Sequence, residues 1–434
     1  MQYDFSISSG AYEVVSTLQR AGFETYIVGG AIRDLLLKCK PKDFDISTSA
    51  TPEEVRQVFG RRRARIIGKR FRLAHVTVAG ELFEVSTFRR TPPAQAENRR
   101  EEKFREMPEN MIFSDNFYGT SEEDAFRRDF TVNALFYDPV KRELIDCTGM
   151  GVRDIESRVV RAIGDPALRF EEDPVRMLRA LKLVAQYDFS LDSATENALF
   201  ARLPLICHVS SGRLSLELEK ILKSSCSDRH FEVFFDYGLL NYFLPELAGV
   251  WGEKECRRAM DLIYERNCRV EGGIYRDSIS LALAAVSLPF AAAELGHPAK
   301  VLWEKRDENT AGIMQYWVSR IFSPLILMVK VRESASRIMM MQSLLEHAGK
   351  EDIPQLMRHK SYAHARELLI IRHLADGEDC SELEKKYPPG SDKGEFRPGK
   401  PKMPKKKHAG DKFRSRGSRK KGGRPELPPD FSGE

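Results

Sequence analysis

Two aspartates separated by one residue, Asp43 and Asp45, carry the clearest chemical signal in this chain, within the run Lys-Asp-Phe-Asp-Ile. On a strand, residues two apart project from the same face, so the two carboxylates would point the same way. Such a pair suits two Mg²⁺ ions about 4 Å apart, one activating an attacking hydroxyl and the other holding a triphosphate and its leaving group. The alternative is an exposed turn, where Asp-x-Asp is common. An EF-hand is excluded, because its loop glycine and terminal glutamate are absent at the required spacing.

A glycine pair, Gly29 and Gly30, precedes the aspartates and opens the run Gly-Gly-Ala-Ile-Arg-Asp. A turn from a strand into a helix exposes backbone N–H groups that bind phosphate oxygens, and glycine lets the backbone approach closely. Either motif alone is weak, since Gly-Gly marks any tight turn. Both motifs in this order within twenty residues predict a site for a nucleoside triphosphate and its metal ions.

Two charged runs lie downstream, Arg-Arg-Asp-Phe-Thr-Val-Asn-Ala at 127–134 and Glu-Asp-Pro-Val-Arg-Met-Leu-Arg-Ala at 172–180. With the two motifs above, they resemble in order and composition the motifs of the class II tRNA nucleotidyltransferase and bacterial poly(A) polymerase family. The resemblance runs from residue 26 to about residue 222 and fades beyond residue 230. It implies template-independent transfer of a nucleotide, with ATP as the expected donor, to the 3′ end of RNA.

The resemblance also implies roles for polar residues of the first half. Arg33 and Arg128 would contact the triphosphate or the ribose, because a guanidinium fork matches phosphate oxygens. Asp129 and Asn133 would hydrogen-bond the ribose; the alternative is a helix cap and a buried structural asparagine. Glu84 is the candidate third catalytic acid, on a strand that could lie beside the aspartates, although a surface glutamate on an edge strand explains it equally well.

Asp173 and Arg176 lie three residues apart, and we expect them to share one face of a helix. The resemblance implies that this pair selects the base. In the family such a pair acts as a protein template for the base edge, and Arg179 completes the predicted nucleotide-binding set. The alternative is a salt bridge within the helix.

The segment 66–76 is similar to the corresponding stretch of the bacterial poly(A) polymerase branch, as is the run Asn-Phe-Tyr-Gly-Thr at 116–120. Lys69, Arg70 and Arg72 place three cations at the entry of a strand, where they could contact primer phosphates. The alternative is a solvated edge strand with protective charge. CCA addition or A addition to tRNA remains the second hypothesis for the reaction.

A strongly basic segment lies near the end of the chain. Residues 397–424 contain thirteen Lys and Arg and one Asp, a local net charge of +12, whereas the whole chain carries +5. Such an arm is typical of sequence-independent nucleic-acid binding, which suits an enzyme acting on many RNA 3′ ends. A solvated linker is the alternative.

Composition points to a cytoplasmic protein without a membrane segment. The seven cysteines form no Cys-x-x-Cys pair, which argues against a zinc site and a disulfide framework. No signal peptide is visible, and the longest apolar stretch, 281–295, contains Pro289 and Glu294 and is short for a membrane helix. Some relatives carry a phosphohydrolase activity on an extra metal domain that needs a His-Asp pair; we exclude it here, because no histidine is followed by aspartate. A catalytically inactive RNA-binding protein is disfavoured, because both aspartates are present.

The elements that position these residues are short strands and helices up to about residue 150, then helices. We predict an α/β nucleotidyltransferase head (polymerase-beta-like mixed sheet with helices) at 1–150, a helical neck at 151–230, a helical RNA-binding body at 231–377 and a disordered basic tail at 378–434. Strands are predicted at 26–28, 44–46, 74–78, 82–87, 134–137 and 143–146. A helix is expected to start after Thr51, with Pro52 in its first turn.

Overall fold

The computed structural model describes residues 2–68, 72–90, 117–296 and 308–390. Lys69, Arg70, Asn116 and the basic segment 397–424 therefore lie outside the described residues.

A mixed sheet organises the N-terminal part of the chain. Its strands are β1 (Thr25–Val28), β2 (Asp45–Thr48), β3 (Ala64–Ile67), β4 (Leu73–Val78), β5 (Glu81–Thr87), β6 (Leu135–Asp138) and β7 (Glu143–Asp146). The order across the sheet is β3-β4-β5-β2-β1-β6-β7. Only β2 and β5 run parallel among these neighbours, which brings the starts of these two strands to the same edge of the sheet.

One face of this sheet is buried beneath two helices, α1 (Ser9–Arg20) and α3 (Pro52–Arg63). Leu18, Ile46, Val76 and Val85 are almost fully buried there, as the alternation of apolar residues along the strands requires. Helix α3 begins as the sequence predicts, because Thr51 and Glu54 form a capping box.

The other face is covered over only part of its width. Helix α4 (Ser121–Arg127) contributes Ala125 to a second small core with Val28, Phe88 and Phe136. This core lies on the β1 and β6 side of the face. Helix α2 (Gly30–Leu36) follows β1 directly and packs near the 3-10 helix Thr131–Asn133.

The rest of the described chain is mostly helical. Its helices are α5 (Gly151–Glu156), α6 (Pro166–Glu172), α7 (Val175–Tyr187), α8 (Ser193–Arg202), α9 (Ser211–Lys223), α10 (Ser227–Asp236), α11 (Leu240–Phe243), α12 (Pro245–Gly249), α13 (Lys254–Glu271), α14 (Ile279–Glu294), α15 (Glu308–Arg320), α16 (Val329–His347), α17 (Ile353–Leu356), α18 (Tyr362–Ala375) and α19 (Ser381–Lys386). A second 3-10 helix spans Leu203–His208. Within the described ranges, no helix combines the length and apolar composition needed to cross a bilayer.

The predicted fold class is confirmed, with three local corrections. The edge strand β3 was not among the predicted strands, and a two-stranded parallel sheet of β8 (Val159–Val160) and β9 (Ser190–Leu191) interrupts the helical region. Residues 378–390, assigned to a disordered tail, are folded: α19 forms there, and Cys380 and Tyr387 are buried. The Pro/Gly-rich composition therefore led to a wrong prediction of disorder for this segment, because its order depends on contacts with distant helices. The domain boundaries themselves stay a prediction.

Candidate active site

Two acidic side chains lie side by side where β2 begins, next to the middle of β5. Asp45 is the first residue of β2, and Ile46, which follows it, pairs with Val85 of β5. Asp45 is therefore level with Glu84, on the face opposite to the buried Ile46 and Val85. Asp43 lies just before β2, in non-regular chain, and is exposed. The structure thus places Glu84 beside the aspartate motif, as expected from the sequence.

Asp45 is exposed to solvent, although protein atoms surround much of its carboxyl group. Burial and, to a lesser extent, the charges of Asp43 and Glu84 raise the pKa of Asp45 to about 6, and the charge of Arg128 opposes them. Among the described residues, no group of three or more His, Cys, Asp or Glu side chains is close enough to hold a metal ion alone. The donor set still fits Mg²⁺, which is commonly bound by one or two carboxylates together with substrate phosphates and water.

The glycine turn lies one strand away from these carboxylates. Gly29 precedes α2 with φ of 73°, a conformation that favours glycine. A Cβ on Gly29 would lie 3.2 Å from Nη1 of Arg128, and one on Gly30 would lie 3.3 Å from Nη2 of Arg33. Both glycines therefore make room for the arginines that the sequence motifs assigned to the nucleotide.

Arg128 is held by several partners. Its Nη2 donates to Oδ2 of Asp124 at 2.8 Å and to the hydroxyl of Ser47 at 3.3 Å, and its Nη1 donates to the carbonyl of Asn133 at 3.3 Å. The guanidinium carbon lies 5.1 Å from the ring centre of Phe136. These contacts fix one cation on the same sheet face as Asp45.

A second chain of hydrogen bonds connects α2 with α7. Arg33 donates from Nη1 to Oδ1 of Asn133 at 2.7 Å, and Asn133 donates from Nδ2 to Oδ1 of Asp129 at 3.2 Å. Arg179 approaches Oδ2 of Asp129 at 3.5 Å. Burial alone would raise the pKa of Asp129, but Arg179, Asn133 and Arg176 lower it below its ordinary value. Asp129 and Asn133 thus hold Arg179 and Arg33 in place, and their contact with ribose stays a prediction.

Sequence reasoning missed Tyr187, the last residue of α7. Its hydroxyl donates to Oδ1 of Asp34 at 2.7 Å and accepts from Nη2 of Arg33 at 2.8 Å. Its ring centre is 4.5 Å from the Arg33 guanidinium carbon. No local pattern marks this residue, because Arg33 and Asp34 lie more than 150 positions away in the chain.

The expected helical pairing of Asp173 and Arg176 is wrong. Asp173 lies in the break between α6 and α7, where its Oδ1 accepts from the N–H of Val175 at 3.1 Å. Its Oδ2 accepts from Nη2 of Arg213 at 2.7 Å. Arg176 is almost fully buried and donates to Glu172 at 2.7 Å. The proline between the two positions stops the helix, so neither a shared helix face nor a salt bridge between them forms.

Of the three cations assigned to primer contacts, only Arg72 falls among the described residues. It is exposed and forms an ion pair with Glu53 of α3.

Comparisons with known proteins agree with this geometry. Residues 25–161 match the family described as poly A polymerase head domain, and residues 188–250 match the probable RNA and SrmB-binding site of polymerase A. The sheet region that the first match covers contains both Asp45 and the glycine turn. In sequence the chain is similar to bacterial poly(A) polymerases and to CCA-adding enzymes, which is consistent with the class II nucleotidyltransferase family.

The named relatives include both poly(A) polymerases and CCA-adding enzymes. The chain is 42% identical over 257 residues to poly(A) polymerase I of Haemophilus influenzae, covering 58% of this chain and 56% of that protein. It is 38% identical over 245 residues to the CCA-adding enzyme of Bacillus licheniformis, covering 56% and 57%. The chain therefore spans about half the length of the curated relatives it matches. The structure of the Bacillus stearothermophilus CCA-adding enzyme in complex with CTP is similar with a TM-score of 0.58 and 26% identity, covering 87% of this chain and 80% of that one.

Proposed function

We propose that this protein transfers AMP from ATP to the 3′ end of RNA without a nucleic-acid template, releasing pyrophosphate. The observation that carries the proposal is the arrangement at the sheet edge: Asp45 level with Glu84, with Asp43 nearby and the glycine turn one strand away. This arrangement suits attack of a ribose hydroxyl on the α-phosphate of a nucleoside triphosphate.

Asp43 and Asp45 would hold the divalent cations, with Glu84 as the third acid. When bound, such ions lower the pKa of the attacking hydroxyl and neutralise charge that develops on the triphosphate. The raised pKa of Asp45 reflects burial and two neighbouring carboxylates, so a cation fits this position better than another anion does. Mg²⁺ is the proposed metal.

The two arginines at the glycine turn would bind the triphosphate. Arg33 and Arg128 are already fixed by hydrogen bonds, so little side-chain entropy is lost when a phosphate arrives. Backbone N–H groups at the start of α2 would add neutral donors beside them. Asp173 is proposed to read the base. Arg176 would hold the start of α7, and Arg179 would hold Asp129.

Poly(A) addition is favoured over CCA addition by the segments 66–76 and 116–120 and by the basic segment 397–424. Several of these residues lie outside the described ranges, and their support for poly(A) addition comes from their sequence. Addition of CCA or of A to tRNA is the second candidate, supported by the similarity to CCA-adding enzymes.

A gel with two substrates separates the candidates. The purified protein is incubated with Mg²⁺ and ATP on an unstructured oligoribonucleotide, and with CTP and ATP on a tRNA that lacks its terminal CCA. Long, heterogeneous A tails on the oligoribonucleotide are expected. Addition that stops after a few residues, and only on tRNA, would assign the protein to CCA addition.

The matched control for this gel is Asp45→Asn, which keeps size and removes the charge. We expect nucleotide addition to fall by roughly a hundredfold or more while RNA binding is retained, because a metal ligand is removed. Wild-type turnover by this variant would contradict the metal assignment. No nucleotide addition by the wild type on either RNA would contradict the proposed function as a whole.

A further inference from the structure

The sheet face that carries Asp45 is exposed along strands β5, β4 and β3. The side chain of Glu84 is 60% exposed. Leu82 is 59% and Ile67 is 42% exposed, which is high for large apolar residues in a sheet. On the β1 side, the same face is covered by α4 and the small core with Phe136. The site is therefore closed on one side and accessible on the other.

Side chains on the accessible side form a row that ends at the carboxylates. Arg65 of β3 pairs with His75 of β4, and His75 pairs with Glu84 of β5. Glu84 is level with Asp45, so all four side chains share one face. At about 4.8 Å between neighbouring strands, Arg65 lies about 14 Å from Asp45.

This row carries a cation at its outer end. Arg65 is exposed and, within the described ranges, forms no ion pair with an acidic side chain. Arg61 and Arg62, at the end of α3 just before β3, are exposed as well. The exposed Ile67 and Leu82 flank the row with apolar surface. A cation next to apolar side chains fits a single strand of nucleic acid, whose phosphates and base faces alternate.

The direction of the reaction indicates which substrate uses this side. In phosphoryl transfer the attacking and leaving oxygens lie roughly in line on opposite sides of the phosphorus. The groups proposed to bind the triphosphate, namely Gly29, Arg33 and Arg128, all lie toward β1 and α2. The attacking hydroxyl must then arrive from the β5 side.

We infer that the exposed face of β5, β4 and β3 is the path of the RNA 3′-terminal segment, with Arg65 contacting a backbone phosphate a few nucleotides from the 3′ end. Ile67 and Leu82 contact base faces, and His75 lies between Arg65 and the catalytic acids. This inference rests on the proposed function, because it assigns the RNA side of the same site.

The first test is Arg65→Gln. We expect its KM for the primer to rise roughly three- to tenfold with the KM for ATP unchanged, and the slope of log K against log salt for RNA binding to fall by about 0.7. Arg65→Lys keeps the charge and should restore both values. Arg20→Gln is the matched control, because Arg20 is an exposed arginine of α1, on the other face of the sheet. Equal values for Arg65→Gln and Arg20→Gln would overturn the inference.

A second test does not require catalysis. Oligoribonucleotides with thiouridine at single positions upstream of the 3′ end are photocrosslinked to the Asp45→Asn protein, and the crosslinked peptides are identified by mass spectrometry. We expect peptides from β3 and β4. Crosslinks confined to the helices after residue 151 would refute this path even if the wild type adds nucleotides. If crosslinks to β3 and β4 formed but the wild-type protein added no nucleotides to RNA, the proposed reaction would be refuted instead.

Discussion

The arginines around the active site are each fixed by protein groups before a nucleotide is present. Arg128 bonds to Asp124, Ser47 and the carbonyl of Asn133, while Arg33 bonds to Asn133 and Tyr187. Fixed donors stabilise developing charge better than mobile ones, because they do not have to reorganise during the reaction. The residues that hold the arginines are therefore expected to affect substrate binding through the arginines.

Tyr187 offers a test of this expectation. Tyr187→Phe keeps the ring beside Arg33 and removes one hydroxyl. The lost hydrogen bonds stabilise the position of Arg33 by about 1 kcal/mol. We expect the KM for ATP to rise roughly fivefold with little change in the KM for RNA, measured by steady-state kinetics. Tyr12→Phe, at an exposed tyrosine of α1, is the control. An unchanged KM for ATP would mean that Asp34 and Asn133 suffice to hold Arg33.

Asp173 is the residue to change for base choice. Asp173→Asn replaces an acceptor with a group that also donates, so we expect weaker discrimination among ATP, CTP, GTP and UTP, with a smaller effect on turnover at saturating ATP. Competition assays with mixed nucleotides measure the discrimination. Arg213→Gln keeps the carboxylate of Asp173 but removes its ion-pair partner. This variant therefore separates recognition of the base by Asp173 from the positioning of Asp173 by Arg213. If Asp173→Asn discriminated among the four nucleotides as strongly as the wild type, the role of Asp173 would be purely structural.

At the scale of elements, α7 and α9 are joined by a buried charge cluster. Glu217 of α9 accepts from Lys182 of α7 at 2.9 Å and from Lys220 at 2.7 Å, and its side chain is only 6% exposed. Burial alone would raise the pKa of Glu217, but the two lysines lower it to about 2. Burial lowers the pKa of Lys182, although Glu217 opposes this. Since α7 carries Arg176, Arg179 and Tyr187, this cluster supports the helix that holds the site.

The cluster predicts a specific dependence of stability on pH. The pKa of Glu217 is lower in the folded protein than in the unfolded chain, so its stabilisation is present above about pH 4.5 and is lost as the pH falls toward 2. Glu217→Gln should cost about 2–3 kcal/mol at pH 7, because Lys182 is left buried without its partner. Urea denaturation at several pH values should show this deficit shrinking below pH 5.

Glu382→Gln is the matched control for this experiment. Glu382 pairs with Lys385 at 2.7 Å, but both side chains are mostly exposed. Such pairs contribute less than about 1 kcal/mol, so the control should match the wild type within error. A deficit for Glu217→Gln that is the same at pH 7 and at pH 3 would contradict the charge-based explanation.

At the scale of the whole molecule, the folded part of the chain extends past the predicted start of the tail. Tyr387 is buried, its hydroxyl donates to the carbonyl of Leu345, and its carbonyl accepts from Arg366. Tyr362 donates to the carbonyl of Pro388 at 3.0 Å. These contacts attach the segment after α18 to α16 and α18, so the folded part of the chain reaches at least residue 388.

Truncation after residue 390 should therefore leave a folded protein that binds RNA more weakly. For single strands, the slope of log K against log salt falls by about 0.7 for every phosphate that the protein no longer neutralises. Fluorescence anisotropy with a labelled oligoribonucleotide at several salt concentrations measures this slope. Truncation after residue 384 is the comparison, and it should lower the melting temperature because Tyr387 is removed. An unchanged salt slope after removal of 391–434 would show that its cations do not contact RNA.

Much of the site could be predicted from short stretches of sequence, because the chemistry is encoded locally. The glycine pair, Asp45 and Arg128 each lie in a motif of fewer than ten residues. Strand alternation predicted both aspartates on one face, but β2 begins at Asp45, and Asp43 lies before it in non-regular chain. The strands at 73–78, 81–87 and 143–146 were predicted closely, since each has a regular alternation of apolar residues.

Only the tertiary structure decided how these pieces combine, because the deciding contacts join residues far apart in the chain. The parallel pairing of β2 with β5 set Glu84 beside Asp45, Tyr187 reached Arg33 across 154 positions, and Arg213 took the carboxylate of Asp173. Residues 378–390 folded against α16 and α18 despite a composition that suggests disorder. Local propensity contains no information about such partners, and burial against them is what stabilises each position.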